Sequence, residues 1–172
     1  NKNINYSILK RKASENFDED KIIVADNLIT QITKSCKIEN YELIKKFNGE
    51  AFKDVICDHP LKNLGFNKNI PMYSAKFVNL DQGTGIVHCA PSHGPDDFNL
   101  CLQNGIKSEY TVDNSGLYTD VIPFFHKTHI FKADPLVIEK LKEEKKLLGS
   151  NNLLHSYPHS WRSKAPLIYR AT

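Results

Sequence analysis

The stretch GTGIVHCAPSHGPDDFNLC, Gly83 to Cys101, constrains this chain more than any other. Its order is a Gly-Thr-Gly turn, two apolar residues ending on His88, the bend Ala90-Pro91-Ser92-His93-Gly94-Pro95, and a helix start at Asp96-Asp97-Phe98. Glycines beside a strand let another backbone or a ligand approach closely. Proline followed by two acids suits a first helical turn, where the missing N–H costs nothing and negative charge meets the positive end of the helix dipole. The pattern therefore predicts a strand over Ile86–Val87, a rigid turn, and a helix from Asp96 to about Asn104 ended by Gly105. Two histidines and two carboxylates crowd that one turn, and titratable groups held this way mark candidate sites.

Around this centre the chain reads as β-rich. Ile4, Tyr6 and Ile8 alternate with polar neighbours and predict a strand over residues 4–12. SENFDED reads as a polar turn, and Lys21–Ala25 as a buried-type strand. Asp26-Asn27 is expected to cap a helix from about Leu28 to Cys36, with Leu28, Ile29 and Ile32 on one face. Tyr41–Asn48 predicts a strand closed by Asn48-Gly49, with Ala51–Cys57 as its possible partner. The following stretch to Pro71 reads as a loop carrying an exposed His59, and Met72–Leu80 as a strand that Asp81-Gln82 turns into the central motif. Val112–Val121 is turn-rich and expected near a pocket mouth. His126 and His129 share an H-x-x-H spacing, but two ligands without a third do not make a metal site. Asp134-Pro135 is expected to open a helix to about Leu147, with Leu136, Val137, Leu141 and Leu148 as its stripe and Gly149 as its end. Leu153-Leu154 and the closing residues read as strands. Interspersed strands and helices without a β-α-β rhythm imply a β-rich α+β fold, a barrel-like mixed sheet with helices packed on it.

The totals narrow the class. A length of 172 residues suits one domain, and 40% hydrophobic with 25% charged residues is the balance of an ordinary water-exposed globule. No apolar run approaches the roughly 18 residues of a membrane span, and NKNINYSILKRK has no signal-peptide core. Cys36, Cys57, Cys89 and Cys101 form no C-x-x-C, which points to reduced thiols and a cytoplasmic location. The net charge of +3 is carried by 20 lysines and only 3 arginines, and most lysines read as solvated surface. Arg11, Arg162 and Arg170 are the cations expected to be placed for a reason.

The central motif resembles the signature of the editing domain inserted in isoleucyl-tRNA synthetase, with close relatives in the valyl and leucyl enzymes. HSYPHSWRSKAPLIYRAT, His155 to Thr172, resembles the strand by which that insertion returns to the synthetase body. The resemblance implies one editing domain over residues 1–172, a piece of a longer synthetase, with 155–172 leading back towards the body. It implies hydrolysis of the ester of valyl-tRNA for isoleucine, with isoleucine excluded by size, water as nucleophile and no metal. Asp97, nine positions beyond His88, is then the anchor of the substrate's α-amino group. His88 contacts the aminoacyl group or terminal adenosine, Gly83 and Thr84 line the pocket floor, and Tyr157 lies near the bound adenosine or aminoacyl moiety. His93 is read first as a tie within its turn and second as a substrate contact, and Asp96 as the helix cap.

The implied partners are the 3′ acceptor end of isoleucine tRNA and the remainder of the synthetase, with a monomer expected. ATP and magnesium belong to the parent enzyme. Two departures qualify the likeness. The family's threonine-rich strand precedes an Asn-Lys/Arg stretch, and this sequence begins at Asn1-Lys2, so weak or undetectable hydrolysis is expected of the piece alone. Ser160 and Ser163 stand where many relatives carry a zinc-binding cysteine pair, so no zinc is expected there. The competing readings are a module that binds an RNA end or another domain without hydrolysis, a valyl- or leucyl-type editing domain, and a metal hydrolase using His88, His93 and Asp97.

Overall fold

The computed structural model describes residues 1–172 except 14–17, 82, 153, 155 and 171–172. The expected turn at SENFDED, the one at Asp81-Gln82, and the parts of the closing segment at Leu153 and His155 therefore lie wholly or partly outside the described residues. Two compact units form. The first holds residues 1–60 and 67–88, the second residues 61–66 and 89–172.

The first unit is built on β1 (Asn5–Arg11), the middle strand of a three-stranded antiparallel sheet. β2 (Asp20–Ala25) pairs along one side and β3 (Tyr41–Asn48) along the other, with an irregularity between Ile8 and Leu9. The strand forms as expected, but its strict period-2 alternation does not hold: Tyr6 and Ser7 are both buried, Ile8 is half-buried, and beyond the irregularity at Ile8/Leu9 the buried positions are Leu9 and Arg11. Tyr6 and Leu9 are buried on it, and Val24 and Ala25 meet them from β2. Between β2 and β3 runs a 3-10 turn at Asp26–Leu28 and then α1 (Ile29–Ser35), with Leu28 and Ile32 buried.

Asp26 does not cap that helix. Its carboxylate accepts from Ser7 Oγ (2.5 Å) and Lys46 Nζ (3.1 Å), so the strands on either side claim it. Both hydrogen bonds hold its pKa below the ordinary value, Ser7 having the larger effect.

Asn48-Gly49 does not make a hairpin. Asn48 accepts from Glu50 N–H (3.1 Å) and starts a 3-10 helix over Gly49–Phe52. That turn carries Phe52 back onto the rings of Tyr6 and Phe47, at centroid distances of 4.9 and 5.2 Å. Burying the ring outweighs extending the strand, and β1 already pairs with β3. What remains of the expected partner is β4 (Ile56–Asp58), which pairs instead with β5 (Asn69–Pro71) inside the presumed loop. Met72–Leu80 is irregular: Lys2 N–H bonds Ser74 Oγ and Asn1 Nδ2 bonds the Val78 carbonyl, in place of a ladder.

The second unit holds α2 (Pro95–Gln103) and α3 (Ile130–Glu143). α2 begins as the sequence predicts, with Pro95 in its first turn and Gly94 as the capping residue. Asp96 makes no capping bond; it is an exposed first-turn acid. α3 begins four residues before Asp134. His129 caps it by accepting from Phe131 N–H at its Nδ1 (3.3 Å), leaving Pro135 inside the helix. An imidazole is not among the usual capping groups, so the true start is invisible to capping rules. Ala133 is buried, Val137 and Leu141 are half-buried, and Leu136 is exposed. The helix ends at Glu143, ahead of Lys145 with φ of +55°, rather than at Gly149.

The architecture is thus a mixture of antiparallel sheets and helices. Among the described residues no closed barrel forms. Nor is any helix among them long and apolar enough to cross a membrane.

Candidate functional site

The central motif is divided between the two units. Gly83, Thr84 and His88 belong to the first; His93, Asp97 and Tyr157 belong to the second. Each part is held differently.

In the first unit the Gly-Thr-Gly turn is anchored on the sheet. Ala25 N–H donates to the Thr84 carbonyl (2.8 Å), and Tyr6 Oη donates to the Gly85 carbonyl (2.7 Å). Gly85 is buried with φ of +80°, and a Cβ there would stand 2.7 Å from Ala25 Cβ and 3.3 Å from the Tyr6 ring. Only glycine fits. The Thr84 hydroxyl is used locally, accepting from Ile86 N–H (3.3 Å), and Gly83 is exposed. Ile86 and Val87 are exposed and form no strand. With the turn already fixed by Ala25 and Tyr6, no ladder is needed to place it.

His88 is exposed at the end of this unit. His59, expected to be solvent-exposed, is half-buried. Burial first, and then the neighbouring His88 imidazole, push its pKa below 6.5. The sequence gives no local sign of this neighbourhood, since 29 positions separate the two rings.

In the second unit Asp97 is half-buried in the first turn of α2. Its Oδ2 accepts from Ala90 N–H (2.8 Å), tying the bend to the helix it precedes. The carboxylate also faces two thiols. Burial first, and then Asp97, raise the pKa of Cys89 and of Cys101. Both cysteines are free, as the absence of any pairing pattern predicts. A carboxylate has about four acceptor positions, so the Ala90 bond leaves it able to take an ammonium.

His93 reaches out of its turn with both ring nitrogens, to two distant segments. Nδ1 lies 2.7 Å from the Tyr169 carbonyl and Nε2 3.2 Å from Thr111 Oγ1. Tyr157 Oη donates to the Leu167 carbonyl (2.9 Å), and its ring meets that of Tyr169 edge-on at 6.5 Å. Tyr169 therefore joins His93 to Tyr157. Arg170, singled out by its scarcity, donates to the Val112 carbonyl (2.9 Å) and to Asn114, with its guanidinium over the Tyr110 ring.

Two clefts open beside His93. One, of about 260 Å³, is lined by His93, Val112, Tyr118, Ile130, Phe131 and Asp134. Burial and the Asp134 carboxylate raise the Tyr118 pKa there. From the turn-rich Val112–Val121 segment, Val112 and Tyr118 line this cleft. The other, of about 250 Å³, lies between the 91–95 bend, Phe98, Asn99, Tyr169 and Arg170. Asp97 lines neither. His126 and His129 build no metal site: among the described residues no cluster of three or more His, Cys, Asp or Glu could hold an ion.

The profile of a family described as "Leucyl-tRNA synthetase, editing domain" matches residues 10–145, most of the chain and all of the central motif. The chain belongs to the synthetase editing-domain family. Within it, the similar curated proteins are isoleucine–tRNA ligases. That of Pelagibacter ubique is 58% identical over all 172 residues, and that of Francisella tularensis subsp. novicida is 38% identical over the same span. The chain spans 19% and 17% of the length of those two proteins. The closing motif, beyond the profile match, is covered by both alignments.

Proposed function

We propose that this editing domain hydrolyses the ester linking valine to isoleucine tRNA, as part of a longer isoleucine–tRNA ligase. The need for such a step is energetic. One missing methylene in an apolar pocket discriminates by only about 1–3 kcal/mol, and isoleucyl-tRNA synthetase is itself the usual illustration of that limit. A second pocket that admits valine and rejects isoleucine removes the error. The partners in this reading are the tRNA acceptor end and the rest of the synthetase, where ATP and magnesium would act.

The observation that carries the reading is Asp97 in the first turn of α2, within the matched motif. A carboxylate at a helix N-terminus can grip the ammonium of an aminoacyl ester through a charge-assisted bond. In this reading His88 limits the size of the amino acid, Gly83, Thr84 and Tyr157 flank it, and water attacks the ester. The sheet β2-β1-β3 is read as part of the family's barrel-like sheet. We assign no zinc to the Ser160–Ser163 turn, because hydroxyls are poor zinc ligands.

The test is deacylation of valyl-tRNA by a synthetase carrying this domain. Asp97→Asn keeps an acceptor for Ala90 N–H but removes the charge. We expect kcat/KM to fall about 10- to 100-fold, with stability little changed. Undiminished deacylation by the variant overturns the assignment. The bond from Ala90 N–H to Asp97 also suits a second reading, a purely structural carboxylate in a module that binds the RNA end without chemistry. Retained tRNA binding, with no deacylation by either form, would favour it.

A further inference from the structure

The cleft of about 260 Å³ at the start of α3 is not lined by Asp97, and its walls are held by backbone bonds. All of its lining residues belong to the second unit. Val112 and Tyr118 face each other in one antiparallel bridge, and Leu117 and His129 in another. Tyr118 N–H bonds the Thr128 carbonyl and Lys127 N–H bonds the Tyr118 carbonyl, both at 2.9 Å. Ile130 N–H bonds the Gly116 carbonyl (3.0 Å). Together these bonds fix the Tyr118 strand against the first turn of α3. Walls set in advance spare a ligand the cost of ordering them.

The lining has a definite chemistry. Val112, 1% exposed, and half-buried Ile130 supply apolar surface, and Tyr118 and Phe131 supply two rings. Ile130 and Phe131 lie four and three residues before Asp134, a spacing that puts all three on one side of the helix. Asp134 is the one carboxylate of the lining, and it enters no salt bridge among the described residues. Burial first, and then this carboxylate, raise the Tyr118 pKa, so the phenol keeps its proton and Asp134 carries the negative charge alone. His93, at the rim, already has both ring nitrogens bonded.

One unpaired negative charge beside two aromatic rings and an apolar floor is the complement of an organic cation, which gains from the carboxylate and from the ring faces together. Sites for drug-sized molecules run to about 300–1,000 Å³, so a cleft below that range suits a smaller one.

We propose that this cleft binds a small organic amine, with its ammonium on Asp134 and an apolar body the size of one ring against Tyr118, Phe131, Val112 and Ile130. The site is separate from the editing carboxylate and requires neither Asp97 nor hydrolysis.

The probe is para-azidobenzylamine, irradiated with a synthetase carrying this domain, the labelled peptides being mapped by mass spectrometry. We expect labelling within residues 112–134, prevented by excess benzylamine but not by benzyl alcohol, its neutral counterpart. Asp134→Asn should raise the concentration for half-maximal labelling about tenfold, and Phe131→Ala about threefold. Asp97→Asn, the variant that tests the editing reading, should leave the labelling unchanged, so the two readings fail separately. Labelling confined to other segments, or undiminished in Asp134→Asn, overturns the proposal. So does protection by benzyl alcohol equal to that by benzylamine, or labelling that is lost with Asp97 instead of Asp134.

Discussion

The sheet around β1 and the loops around His93 are stabilised in different ways. In the sheet the work is done by apolar register: Tyr6, Leu9 and Val24 are almost wholly buried, and the aromatic trio Tyr6, Phe47 and Phe52 closes one face. In the second unit few large side chains are fully buried. Asp113 instead accepts from Ser115 N–H (2.8 Å) and Leu117 N–H (2.9 Å), His93 spans two segments, and Arg170 gathers Val112, Asn114 and Tyr110. One region is set by hydrophobic burial, which is non-directional and follows area. The other is set by directional bonds between side chains and backbone, each small in net value and costly to leave half made.

Three substitutions break or sharpen that contrast. The largest effect is expected for Leu9→Ala, which leaves a cavity at the centre of the sheet. A loss of about 2–5 kcal/mol should appear as an earlier midpoint in urea denaturation. Arg170→Ala comes next. It strips a donor from the Val112 carbonyl and from Asn114, and about 1–3 kcal/mol should be lost in the same measurement. If Arg170→Ala costs more than Leu9→Ala, the contrast is wrong.

The smallest effect concerns Asp26. Its folded pKa is depressed, so its contribution to stability is present above its ordinary value of 3.8 and is lost as pH falls through the lower folded value. Ser7→Ala removes the main cause of the depression. Stability measured from pH 5 down to pH 2 should then fall less steeply than in the parent. An identical acid limb would show that the Ser7–Asp26 bond does not set that pKa.

The same contrast explains what could be read from the residues in advance. β1, β2, β3 and the start of α2 are announced by runs of strand-forming residues and by the proline-acid signature, both local properties, although burial alternates strictly in none of the three strands. β4 and β5 are three residues each, too short for a period to register. The start of α3 depends on an imidazole cap, and the return of Phe52 onto Tyr6 on a contact between distant positions. Within the candidate site, the placing of Asp97 in a first helical turn was legible, whereas the ring of His93 bonds Tyr169 and Thr111 rather than its own turn. The half-burial of His59 beside His88 and the role of Tyr169 in joining His93 to Tyr157 were not legible, because tertiary packing alone brings those residues together.

Gly85 has a practical consequence for anyone reshaping the amino-acid preference of this domain. Libraries that randomise residues 83–88 would naturally include it, yet every side chain there meets Ala25 and Tyr6, two supports of the sheet. Holding that codon constant while varying its neighbours would keep the screened population folded, and losses of activity could then be credited to recognition rather than collapse.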